Sequence, residues 1–274
     1  IQFGRCFLGP IEGHDATPEP SIPISTVRSL VSKHRDAADL PIREASFLWI
    51  DGRPPGADLD EAEREQLFEF GRAVAVAGLA RRRFLGALDE YSASGHYQVV
   101  IQSFSEPYVG NSNVTFRRKF GQLNVMLSES RARFPIPSHL GDQVRLSLDL
   151  GLLNALSAAQ DLEGTVRSQI EQATGQYLLS NTDSPDVPIE VELTAAYASF
   201  ERLVGGGSIG DVKKRVRGLL EVVLGHPSIE RIRKEAGDLP ALGTNICDWI
   251  GELYNVRGLV AHGKESSTYK SRWS

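Results

Sequence analysis

The chain has 274 residues, 41% of them hydrophobic and 24% charged, which is the balance of a soluble globular protein with room for two ordinary domains. A formal net charge of −5 excludes a protein that coats nucleic acid by bulk electrostatics, so any such contact is expected to be local. Cys6 and Cys247 lie nearly a chain length apart and read as reduced thiols. The longest apolar runs, such as residues 74–80, fall well short of the ~20 residues a spanning helix needs, and no secretory leader opens the chain, so a cytoplasmic protein with no membrane association is expected.

In chain order, residues 10–26 hold Pro10, Pro18, Pro20 and Pro23 and read as an extended arm. Residues 45–50 look like a buried strand leading into a turn at Asp51 and Gly52. The acidic cluster from Asp58 to Glu63 suits a helix N-terminus, with Arg81, Arg82 and Arg83 toward the other end; one long helix, or two broken near Gly71 or Gly78, is expected between them. Strand-like runs follow at residues 96–104 and 113–120, separated by a Pro, Gly and Asn loop. Pro135 and Pro137 continue neither helix nor central strand and mark a domain boundary. Residues 1–140 are thus expected to form an α+β domain, a sensor or recognition module whose ligand or regulatory partner carries no recognisable motif.

From Val144 onward the apolar spacing becomes helical, and residues 141–274 are expected to form an all-α bundle. Four helices are anticipated: one through Val144, Leu148 and Leu152; one through Leu193, Phe200 and Val204 that stops at Gly205, Gly206 and Gly207; one from Ile209 through Val216 to Gly225; and one from about Thr244 to His262. Gly263 stands where a glycine commonly follows a helix C-terminus.

The chemistry-bearing candidates are Arg257 and His262, five positions apart at the end of that last helix. Guanidinium is permanently charged and matches phosphate oxygens with a planar fork, while imidazole gives and takes a proton near neutral pH. Together they suit transition-state charge stabilisation and general acid/base catalysis without a metal or other cofactor. Five residues correspond to about 140° around a helix, so the two side chains converge only if the last turn loosens or if a two-fold axis brings in a second copy. Gly258 and Ala261 are small enough to let a partner helix approach. The bland alternative pairs Arg257 with Glu252 or Glu201 and leaves His262 to cap the helix.

The run from Leu253 to Gly263, with Glu201 on an earlier helix, resembles the HEPN superfamily of anti-phage and toxin-like proteins over about residues 145–265. That resemblance implies a metal-independent endoribonuclease that works as a homodimer, with Arg257 and His262 of both copies lining one cleft. It departs from the family at Gly258, where a polar residue is usual; Asn255 or Glu201 would then supply the polar group, or the nuclease is degenerate. Tyr254 is expected to support the site by packing at the core or dimer interface, and Lys213, Lys214 and Arg217 are the favoured RNA contacts because they share the domain. The rival reading is a non-catalytic HEPN-like module that dimerises or binds a nucleotide or nucleic acid.

Other constellations fare worse. His14, Asp15, His34 and Asp36 lack a tight metal-ligand spacing, Gly205 to Gly207 lack the strand and Lys-Ser/Thr of a phosphate loop, and Ser138 with His139 has no nucleophile-elbow context. The basic clusters at residues 81–83 and 117–119 read as solvated faces or strand edges, the cluster at 231–234 is of more interest because it shares the domain of Arg257 and His262, and Trp49 and Trp249 read as core anchors.

Overall fold

A computed structural model describes residues 2–4, 6–10, 35, 39, 46–52, 59–80, 93–97, 99–103, 112–118, 121–127, 148–182, 184, 186–225 and 239–261. These residues are mostly helical. The chain divides into two compact units, Ile1–Asp161 and Leu162–Ser274. Among the described residues no helix is long and apolar enough to cross a membrane.

In the first unit, strands β1 (Gln2–Phe3), β2 (Cys6–Pro10) and β3 (Ser46–Ile50) form an antiparallel sheet in that order, with Cys6 opposite Ile50 and Leu8 opposite Leu48. Alternate side chains of a strand share a face, and here Cys6 and Ile50 are buried in the core that Leu8 and Leu48 flank. Helix α1 (Glu61–Leu79) starts at a capping box in which Asp60 Oδ1 accepts from Glu63 N at 2.8 Å and Glu63 Oε2 accepts from Asp60 N at 3.0 Å. It runs unbroken through Gly71 and Gly78, because those glycines are close-approach points rather than breaks: a Cβ at Gly71 would strike Val99, and one at Gly78 would strike Tyr97. A second antiparallel sheet follows, β4 (Val100–Ser103), β5 (Ser112–Arg118) and β6 (Gly121–Leu127). Helix α2 (Leu150–Ala158) is capped by Asp149, whose Oδ1 accepts from Leu152 N at 2.9 Å.

Leu153 of α2 is fully buried with Phe3, Phe70 and Phe68, and the rings of Phe3 and Phe70 stack at 5.0 Å. Each such side chain contributes on the order of 1.5–3 kcal/mol by leaving water. The helix expected to open the bundle therefore begins at Leu150 and belongs to the first unit's core, and the division falls after Asp161 rather than at Pro135 and Pro137. Residues 10–26, apart from Pro10, and residues 81–83, 119, 135–139, 144–147, 231–234 and 262–263 lie outside the described set.

The second unit's described residues form a four-helix bundle: α3 (Thr165–Leu179), α4 (Ile189–Val204), α5 (Ile209–Gly225) and α6 (Leu239–Ala261). Helix α3 was not anticipated, and it packs on α4 through small residues, with Ser199 Oγ donating to Ala173 O at 2.9 Å. Tyr197 of α4, Val212 and Val216 of α5, and Ile250 and Leu253 of α6 form the core. Phe200 and Trp249 meet edge to face at 5.3 Å beside it, so Trp249 anchors the core as expected. Helix α6 begins at Leu239, five positions before Thr244, with Pro240 in its first turn, where the missing N–H is not needed.

Candidate functional site

Helices α4 and α6 lie side by side, and their facing residues create the candidate site. Tyr197 and Glu201 are one turn apart on α4, while Tyr254 and Arg257 are neighbours three apart on α6. Tyr197 is fully buried, and Tyr254 meets it edge to face at 5.5 Å and 64°. The guanidinium carbon of Arg257 lies 5.2 Å from the centre of the Tyr197 ring. Arg257 Nη1 also reaches Glu201 Oε2 at 3.8 Å, with the two side chains 40% and 27% exposed. That exposure decides the energetics: the ion pair contributes about 0.2–1 kcal/mol and the ring contact about 0.5–1 kcal/mol. The guanidinium is therefore oriented without being locked, and part of it faces solvent.

The phenol of Tyr197 is the costly element. Its hydroxyl has no hydrogen-bond partner among the described residues, and a buried unsatisfied polar group costs on the order of 1–3 kcal/mol. Burial raises the Tyr197 pKa above its ordinary value, the Glu201 charge adds to the rise and Tyr254 adds the least, while the Arg257 charge works the other way.

The bundle thus brings together Glu201, Tyr254 and Arg257. Asn255 is exposed and lies about 200° around α6 from Arg257, so it stands outside the cluster. His262 follows the last residue of α6 and lies outside the described residues. Lys213, Lys214 and Arg217 sit on α5: Lys213 is half-buried against α6, where a Cβ at Gly251 would come 2.6 Å from its Nζ, and the other two are exposed. Gly251 precedes Arg257 by six positions, or about 9 Å of helix rise. Arg215, from the same basic cluster, serves the backbone instead, since its Nη1 donates to the carbonyls of Val204, Gly205 and Gly206 at 3.1, 2.6 and 2.9 Å and closes the C-terminus of α4.

Tyr197 is the member that sequence reasoning missed. Its spacing to Leu193 and Phe200 marks it as core, and only its position one turn before Glu201 tied it to the site. An added Cβ at Gly258 meets nothing within 4 Å among the described residues. Among the described residues no three His, Cys, Asp or Glu side chains converge to hold a metal ion; His14, Asp15, His34 and Asp36 lie outside them. No protein-family model matches the chain, and comparisons with curated proteins and with solved structures return no significant match.

Proposed function

We propose that this protein is a metal-independent endoribonuclease of HEPN type that acts as a homodimer. The observation that carries the reading is the Arg257 guanidinium, oriented by Tyr197 and Glu201, partly exposed near the end of the last bundle helix and five positions before His262. In the proposed reaction an RNA 2′-hydroxyl attacks the adjacent phosphorus as His262 takes its proton. Arg257 neutralises the charge that develops on the phosphorane oxygens, and the P–O5′ bond breaks. The 5′-oxygen leaves with a proton returned by an imidazolium, giving a 2′,3′-cyclic phosphate and a 5′-hydroxyl end. DNA lacks the nucleophile and is resistant.

Lys213, Lys214 and Arg217 are the proposed phosphate contacts away from the cleavage point. The first unit is read as an α+β sensor or recognition module, and the whole as a cytoplasmic phage-defence or toxin-like protein, a setting that rests on the HEPN resemblance alone. Purified full-length protein incubated with total RNA in EDTA tests the proposal: cleavage is expected and should be lost in Arg257→Ala and His262→Ala, whereas undiminished cutting by both variants removes the pair from the mechanism.

A second reading draws on the Arg257–Glu201 pair and on Gly258. A guanidinium paired at long range with a carboxylate suits a non-catalytic HEPN-like module that dimerises or binds a nucleotide or nucleic acid. RNA left whole by the wild-type protein favours that alternative.

A further inference from the structure

We infer that Tyr197 is a positioning residue, a buried aromatic platform that sets the plane of the Arg257 guanidinium and leaves that group ready for an oxyanion of the RNA backbone. The inference deepens the nuclease proposal and depends on it for its activity readout, but the geometry it rests on is independent.

Tyr197 is fully buried, so its ring is held by packing, and its hydroxyl has no hydrogen-bond partner among the described residues. Tyr254 fixes the ring's tilt from α6, edge to face at 5.5 Å. Arg257 lies on the same helix as Tyr254, three residues on, so the ring and the guanidinium approach each other as consequences of one helix-helix contact. Arginine prefers to lie over an aromatic face because the negative face of the ring quadrupole attracts the cation while leaving its N–H edge free to donate. Glu201 at 3.8 Å is too far for a tight bidentate fork, so the guanidinium keeps N–H donors to offer a phosphate oxygen.

The hydroxyl contributes nothing comparable, since it is buried without a partner among the described residues. The two parts of the tyrosine thus have separable consequences: the ring positions Arg257 and the hydroxyl only costs stability. Tyr197→Leu removes the platform, whereas Tyr197→Phe keeps it.

The test joins a structural and a kinetic measurement on the full chain. In the wild type and in Tyr197→Phe, the Arg257 side-chain proton resonances should be shifted by the ring current of residue 197, and Tyr197→Leu should abolish the shift. An unshifted Arg257 in the wild type overturns the proposal without any variant, even if Tyr197→Leu fails to fold. Steady-state cleavage of an RNA oligonucleotide in EDTA should show kcat about tenfold lower for folded Tyr197→Leu with KM nearly unchanged, and recovery in Tyr197→Phe. A folded Tyr197→Leu enzyme with wild-type kcat overturns the positioning role while the nuclease stands. If the wild type leaves RNA intact, the nuclease reading falls, and the ring-current shift alone decides whether the platform exists.

Discussion

The C-terminal turn of α4 is met by two arginines, Arg215 from α5 and Arg257 from α6, and the two are used in opposite ways. At the C-terminus of α4, Arg215 commits one nitrogen to the carbonyls of Val204, Gly205 and Gly206. Gly205, at φ 79°, turns the chain there, and a Cβ on it would come 2.9 Å from that nitrogen. Near the C-terminus of α6, Arg257 makes no such cap among the described residues; it lies over Tyr197 and reaches Glu201 at 3.8 Å. One guanidinium is consumed by backbone, while the other is aimed and left partly available. Residue type does not separate them, but the surrounding donors and acceptors do.

The sharpest way to break this contrast is a reciprocal pair of variants. Arg257→Ala should lower kcat for RNA by about 10²–10³, as expected for loss of a group that stabilises transition-state charge, with stability falling by less than about 1 kcal/mol. Arg215→Ala should do the reverse, lowering the stability read from denaturation midpoints by about 1 kcal/mol through the uncapped carbonyls while RNA is still cut. Equal effects of both variants on cleavage and stability would erase the distinction. Tyr197→Phe comes next: removing an unpartnered buried hydroxyl should raise stability by about 1 kcal/mol in urea unfolding. Because the folded pKa of Tyr197 lies above the ordinary 10.0, the folded state holds its proton longer than the unfolded one. Stability from this group is therefore full below pH 10.0 and falls as pH rises past it, a loss that the Phe variant should not show.

Much of the bundle was legible in its punctuation and periodicity. The apolar spacing of Leu193, Ala196, Phe200 and Val204, ended by three glycines, corresponds to α4 and its stop. Helix α3 escaped because its stripe of Val166, Ile170, Ala173 and Tyr177 is thin, is interrupted by Gly175 and starts after Gly164 with no side-chain cap. Periodicity alone also assigned the helix holding Leu152 and Leu153 to the wrong core, since an apolar stripe says that a face is buried but not against what. At the site, Arg257 was readable as a residue that chemistry uses, Glu201 as its acidic partner or polar support, and Tyr254 as a packing residue. Tyr197 was hidden because an aromatic on a core stripe looks the same whether it fills space or carries a cation.

Gly258 offers a smaller and more diagnostic perturbation. A glycine within a helix costs about 0.5–1 kcal/mol relative to alanine, and here an added methyl meets nothing within 4 Å among the described residues. Gly258→Ala should therefore stabilise the folded chain modestly in thermal unfolding. If a second copy seats its helix against this face, the same methyl should weaken the dimer, and solution mass measured across protein concentrations reads that directly. An unchanged dimer would move the proposed two-fold contact away from Gly258.

The smallest effect is expected at the start of α5, where the chain turns from the Arg215 cap into the next helix. Ser208 and Asp211 form a reciprocal cap: Ser208 Oγ donates to Asp211 Oδ2 at 2.7 Å and Ser208 N donates to the same oxygen at 3.2 Å. Those two bonds, hydroxyl first, hold the Asp211 carboxyl below its ordinary 3.8, and burial opposes them more weakly; the nearby Arg215 and Lys214 charges add to the lowering. Folding is thus linked to deprotonation, so the contribution is present above pH 3.8 and is lost as pH falls through the lower folded value. Asp211 is exposed, and the loss should be slight. Urea midpoints measured from about pH 5 down to about pH 2 should fall less steeply for Asp211→Asn than for wild type. Parallel slopes would mean that this cap does not hold in solution, and the Arg215 closure beside it would then have to order the turn between α4 and α5 alone.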